Sequence, residues 1–196
     1  ACAQTGTGKT AAFMLPVISN LKASSKHITQ VLIIVPTREL AMQIFDVVRQ
    51  MNKHISEVRA ALLIGGLPIH KQISHLKSRP RLYIGTPGRI IDLCQRKAMK
   101  LGKVQYLVLD ETDRMLDMGF GPQIKEILTH VPKTRQTLLF SATIPKVIEQ
   151  IASNYLRNAT RVSIDFSSKP ADNLIQDVAM VKDVLKFDLL AKEVKE

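Results

Sequence analysis

Ala3-Gln4-Thr5-Gly6-Thr7-Gly8-Lys9-Thr10 reads as a phosphate-binding loop that runs into a helix. Each residue type has a reason. Glycines let the backbone curl so that successive N–H groups converge on one anion. Lys9 places a point charge on terminal phosphates, and the Thr10 hydroxyl is suited to Mg²⁺. Residues 10–21 carry a helical pattern, and a helix N-terminus favours the same anion. Ala3 departs from the general pattern, which has glycine at its first position. The alternative is a Gly-rich turn followed by a chance Lys-Thr pair, and acids further along the chain weigh against it.

Working outward, short apolar runs alternate with helical patterns. Residues 31–35 form a continuous β-rich run stopped by Pro36, which predicts a strand buried on both faces. Residues 60–64, 81–84, 106–109 and 137–140 read the same way, and 160–164 is a weaker case. Helices are predicted over 39–51, 69–77, 89–96, 122–129 and 145–155. The stripe of the first runs through Glu39, Leu40, Ile44, Val47 and Val48. Such alternation predicts an α/β fold with a mainly parallel sheet covered by helices on both faces. Ligands of such sheets bind at the C-terminal edge of the strands.

Residues 1–166 are expected to form one lobe. Turn formers in Ser167-Ser168-Lys169-Pro170-Ala171-Asp172 predict a linker over 167–173. Residues 174–196 read as the opening of a second domain, a strand near 175–181 and then a helix over 182–194. A phosphate loop of this kind follows a strand, yet only Ala1-Cys2 precede it here. The chain therefore reads as cut at its start, with an apolar slot and unpaired edges expected in place of that strand.

Apolar residues make up 45% of the 196-residue chain and charged residues 23%, ordinary values for a globular protein. The formal net charge of +11 suits an anionic partner, nucleic acid first among candidates, or simply a solvated basic surface. Two cysteines, Cys2 and Cys94, imply no disulfide framework and suit a reducing, cytoplasmic compartment. His70 and His75 lack metal-ligand spacing. No apolar run is long enough to span a bilayer, so no membrane partner is expected.

The strand predicted over 106–109 ends in Asp110-Glu111-Thr112-Asp113. An apolar strand that delivers acids at its tip is the second half of a nucleotide-hydrolysing site. Asp110 is placed to hold Mg²⁺ opposite Thr10, and Glu111 to orient or deprotonate an attacking water. The competing reading is an acidic helix N-terminus. Past the strand at 137–140 stands Ser141-Ala142-Thr143. Hydroxyls there can bond Asp113, but the residues alone favour Thr143 as an N-cap for the helix that Pro145 begins.

Taken together, these motifs resemble the first RecA-like lobe of DEAD-box RNA helicases. In order along the chain stand Ala3 to Thr10, Pro36-Thr37-Arg38-Glu39-Leu40-Ala41, Gly65-Gly66, Thr86-Pro87-Gly88-Arg89, Asp110-Glu111-Thr112-Asp113 and Ser141-Ala142-Thr143. The spelling Arg114-Met115-Leu116-Asp117-Met118-Gly119-Phe120 is similar to the RhlE-like branch. The resemblance covers essentially the whole chain. It implies a P-loop NTPase in which Ala3, Gln4, Thr5, Gly6, Thr7 and Gly8 cradle the phosphates of ATP. Lys9 and Thr10 bind phosphates and Mg²⁺, Asp110 is the magnesium residue and Glu111 the catalytic carboxylate. Asp113, Ser141 and Thr143 couple hydrolysis to lobe closure, and Thr37, Arg38, Gly65, Gly66, Thr86, Gly88 and Arg89 line an RNA path. Backbone N–H groups and arginines at those positions grip phosphates without reading bases, so RNA binding is expected to be largely sequence-independent.

The resemblance implies an ATP-dependent RNA helicase. The rival is an ATP-gated RNA clamp that does not unwind. Thr112 stands where the family usually has Ala. The adenine-reading segment would lie before Ala1. The second lobe, with its arginine finger, would lie after Glu196. Alone, the chain is therefore expected to bind nucleotide and RNA weakly and to show negligible RNA-stimulated turnover, because an arginine finger is worth about 10³–10⁵ in rate.

Overall fold

The computed structural model of the protein describes residues 1–3, 7–23, 31–52, 58–163, 180–181 and 186–193. Five strands form one parallel sheet: β1 (Val31–Ile34), β2 (Ala60–Leu63), β3 (Leu82–Gly85), β4 (Tyr106–Leu109) and β5 (Gln136–Leu139). Their order is β2-β3-β1-β4-β5. In register, Ile34 lies between Gly85 of β3 and Leu109 of β4.

Side chains alternate across a strand, so each strand feeds two cores. Val31 and Ile33 of β1 and Val108 of β4 join Phe13, Met14, Ile18 and Leu21 of α1 (Lys9–Ala23), with Ala41, Ile44 and Val48 of α2 (Arg38–Asn52). Leu32 and Ile34, with Leu107 and Leu109, meet the opposite layer. That layer holds α3 (Ile69–Lys77), α4 (Pro87–Gln95), α5 (Thr112–Asp117), α6 (Gly121–His130) and α7 (Lys146–Tyr155). Burial on both faces explains why β1 is a run of Val, Leu and Ile with no polar alternation.

Three expectations need correction. The buried stripe of α2 is Ala41, Ile44 and Val48, and Glu39 is exposed. Proline at the first position extends α4 back to Pro87. The acids at 110–113 do lead into a helix, α5, which is the competing reading of that stretch. Within 160–164, the described residues give a parallel bridge of Ser163 to Cys2, with the Cys2 amide donating to the Val162 carbonyl at 2.9 Å, and no longer strand. Cys2 also bridges Ser141, and the Ala3 amide donates to the Ser141 carbonyl at 3.0 Å. The start of the chain thus enters the sheet beyond β5, between two neighbours. An apolar cavity of about 410 Å³ opens beside it, lined by Ala1, Leu139, Ile148 and Leu156.

Residues 1–164 form one compact unit and 165–196 another, in which α8 (Lys186–Glu193) is described. The linker expected over 167–173 lies outside the described residues. Among the described residues no helix is long and apolar enough to cross a membrane.

Candidate functional site

Parallel pairing brings all the C-terminal strand ends to one edge of the sheet. That edge has two halves. Beyond β4 and β5, and beside the Cys2 bridge, lie the loop of Lys9, Asp110 and Ser141. Beyond β2, β3 and β1 lie Gly65-Gly66, Thr86 and Thr37-Arg38.

In the first half, Gly8 takes φ +86°, a left-handed conformation that suits glycine. Gln4, Thr5 and Gly6 lie outside the described residues, and Thr7 is exposed. Lys9 opens α1 and is 9% exposed. Its Nζ donates to the carbonyl of Ala3 at 2.9 Å, closing the loop on itself. Thr10 follows it on α1, half-buried. Phe13 of the same helix meets Phe140 at 5.3 Å between ring centroids, which fixes α1 against the end of β5.

Asp110 is 2% exposed. Burial pushes its carboxyl above the ordinary value. The Lys9 charge and the Glu111 amide, which donates to Oδ1 at 2.9 Å, pull the other way, while the charges of Glu111 and Asp113 add to the rise. A buried carboxylate whose ionised form is disfavoured beside a lysine fits a site for added positive charge. Among the described residues no three His, Cys, Asp or Glu side chains cluster as a metal cage. Mg²⁺ does not require one, since one or two carboxylates with phosphates and water suffice. Glu111 adopts a left-handed backbone, φ 49° and ψ 51°, uncommon for a non-glycine residue and worth noting at a candidate site. Its carboxylate accepts from Arg114 at 3.4 Å.

Thr112 is fully buried, and its hydroxyl donates to the Leu109 carbonyl at 3.3 Å. A hydroxyl is therefore accommodated where alanine is usual. Asp113 lies in the first turn of α5. Its Oδ2 accepts from the amides of Ala142 and Thr143 at 3.1 and 2.9 Å and from the Thr143 hydroxyl at 3.0 Å. The Asp113 amide donates to Ser141 Oγ at 3.2 Å. Burial raises the Asp113 carboxyl, but hydrogen bonds from the Thr143 and Arg114 amides and from the Thr143 and Ser141 hydroxyls outweigh it and hold the group below its ordinary value. The expected cap is corrected here: α7 has no side-chain cap, and the Thr143 hydroxyl serves Asp113 instead.

In the second half, Thr37, Arg38, Gly65, Thr86, Gly88 and Arg89 share a groove of about 490 Å³. The Arg38 guanidinium lies over the diglycine turn: a Cβ on Gly65 would come within 3.0 Å of Nη2, and one on Gly66 within 3.2 Å of Cζ. Gly66 has φ +81°, so Gly66→Ala strains the turn and displaces Arg38 together. On the proposal that this groove holds an RNA strand, the variant should bind single-stranded RNA more weakly. The slope of log affinity against log salt should fall by about 0.7, one phosphate contact. Met118 and Phe120, which follow α5, also line the groove, and no motif in the sequence marks them for it.

Comparison with known proteins gives the family and the fold. A family model described as DEAD/DEAH box helicase matches residues 1–151. The DEAD-box ATP-dependent RNA helicase CshA of Bacillus cereus is 43% identical over 190 residues, 97% of this chain and 36% of that protein. The ATP-dependent RNA helicase DRS1 of Kluyveromyces lactis is 42% identical over 199 residues, 99% of this chain and 27% of that protein. Among solved structures, the yeast DEAD-box splicing factor Prp28 superposes with a TM-score of 0.76 at 34% identity, covering 80% of this chain and 38% of its own. A DEAD box protein from Methanococcus jannaschii gives 0.76 at 34% identity, over 100% of this chain and 52% of its own. The chain thus spans about a third of the length of these curated relatives.

Proposed function

This chain belongs to the DEAD/DEAH box helicase family, and from that premise we propose that it is the ATP-binding lobe of an ATP-dependent RNA helicase. The assignment holds at the level of the family rather than of its RhlE-like branch. The observation that carries it is that two buried ionisable side chains, Lys9 and Asp110, stand at the same C-terminal edge of the sheet, with Lys9 Nζ held on the Ala3 carbonyl.

In this reading Lys9 leaves the Ala3 carbonyl for the terminal phosphates of ATP, and residues 3–8 supply backbone N–H groups to them. Thr10 and Asp110 hold Mg²⁺, directly or through water. Bound with ATP, that ion supplies neutralisation of the charge developing on the phosphates. Glu111 orients the attacking water and takes its proton. The groove from Thr37 to Arg89 grips RNA by its phosphates, which suits the net charge of +11. A second RecA-like lobe in the whole protein closes on both ligands, and closure bends one strand and expels its partner. Two thiols and no membrane partner fit a cytoplasmic setting.

In this scheme Asp113 ties Ser141-Ala142-Thr143 to the start of α5, the helix that leads on to Met118 and Phe120 of the groove. The test is duplex displacement and ATP turnover by the whole protein. RNA-stimulated turnover with strand separation supports the reading. ATP-dependent retention of RNA without separation favours the clamp, and neither activity contradicts both. In Asp113→Ala we expect turnover to persist while duplex separated per ATP falls severalfold, as for a coupling of about 0.5–2 kcal/mol.

A further inference from the structure

Gln72 lies on α3, outside every motif singled out above, yet it is 6% exposed. Its Nε2 donates to the Ile64 carbonyl at 3.0 Å and to the Leu67 carbonyl at 3.3 Å. Those carbonyls flank Gly65-Gly66, so one amide spans the diglycine turn. Arg89 Nη1 donates to the same Leu67 carbonyl at 3.2 Å. The Arg38 guanidinium lies against Gly65 and Gly66 themselves. One buried side chain therefore touches the support of both arginines in the groove.

The donor chemistry is specific. Gln72 Oε1 is buried without a partner, so the amide is held by donation alone. A carboxylate there would face two carbonyls with no proton to give, and an aliphatic chain would take the amide donor from the Ile64 carbonyl and leave the Leu67 carbonyl to Arg89 alone. At 6% exposure almost none of the side chain is offered to a bound strand.

We propose that Gln72 is a positioning residue of the nucleic-acid groove: it sets the diglycine turn that carries Arg38 and holds the Leu67 carbonyl that anchors Arg89. This rests on the groove binding RNA phosphates. Direct contacts by the two arginines fix the strand, and Gln72 acts only through them.

The test uses the full chain and fluorescence anisotropy with single-stranded RNA, alongside affinity for a non-hydrolysable ATP analogue. Gln72→Leu removes both donors. Gln72→Asn keeps an amide too short to span the two carbonyls, and it carries the test if the leucine variant melts early. Each is expected to weaken RNA binding about tenfold, the size of leaving a buried acceptor unpaired. Nucleotide affinity should stay within about twofold, which a general loss of structure would not allow. Adding Gln72→Leu to Arg38→Ala or Arg89→Ala should cost much less than tenfold more, because the path is already broken. Unchanged RNA affinity in both Gln72 variants, or fully additive losses, overturns the proposal. If Arg38→Ala and Arg89→Ala themselves leave RNA binding intact, the groove reading falls first and the role of Gln72 falls with it.

Discussion

Asp110→Asn is expected to make the nucleotide-free chain more stable at neutral pH while it removes magnesium-dependent nucleotide binding. The first half follows from the raised carboxyl of Asp110, caused chiefly by burial. A carboxyl raised on folding favours the folded state only below its unfolded value, and that benefit is lost as pH rises through the folded value. At pH 7 the ionised side chain is a standing cost, partly offset by Lys9. Asparagine avoids it, and a chain of this size gains about 2–4 °C in melting temperature for each kcal/mol relieved. The gap between variant and parent should close as pH falls toward the ordinary carboxyl value of 3.8, where the folded parent is largely protonated and both side chains are neutral. Saturating Mg²⁺–ATP should raise the parent's melting temperature and leave the variant's unchanged. In the whole protein, hydrolysis should fall by at least about 10²-fold. Melting curves across pH, with and without nucleotide, test this. A variant that melts lower than the parent at neutral pH would contradict the account of Asp110.

Gly85→Ala is expected to cost about 3 kcal/mol, through forced strand movement rather than lost contacts. Gly85 closes β3 opposite Leu63 of β2. A Cβ there would drive into the Leu63 carbonyl oxygen and come within 2.9 Å of its Cβ. Both obstacles belong to a buried strand, so β2 and β3 must part. At about 2–4 °C per kcal/mol, the melting temperature should fall by about 6–12 °C. RNA binding should weaken too, since β2 and β3 deliver Gly65-Gly66 and Thr86 to the groove. Gly102→Ala is the control: nothing lies within 4 Å of its Cβ and its φ is ordinary, so its stability should match the parent within about 0.5 kcal/mol. A Gly85→Ala chain that melts with the parent would show that the sheet yields more easily than its packing implies.

The strands were legible because burial on both faces leaves a local signature. Val31 to Val35 needs no partner to be read as buried, and the parallel order puts every motif on one edge. Other features depend on partners far along the chain. α5 is short, and its first amide donates to Phe140, which no local pattern near Asp110 discloses. Thr143 looked like a helix cap because Pro145 follows it, yet a carboxylate 30 residues away captures its hydroxyl. Gln72 is one polar residue in a polar helix until the carbonyls of Ile64 and Leu67 are placed around it. Ala41 was passed over in favour of Glu39 because alanine carries little apolar signal, although it is the one buried. The Lys9–Asp110 half of the edge is proposed from residue types, since phosphate and metal chemistry restricts them sharply. Met118 and Phe120 join the groove only through the turn after α5, which no residue type near Gly65 discloses.

Crystals of the chain grown with an ATP analogue and Mn²⁺ in place of Mg²⁺ test the central claim most directly. We predict one anomalous peak between Thr10 and Asp110, at coordinating or single-water distance from both, with Lys9 moved off the Ala3 carbonyl onto the phosphates. A nucleotide bound elsewhere, with Lys9 still closed on Ala3 and no metal beside Asp110, would contradict it.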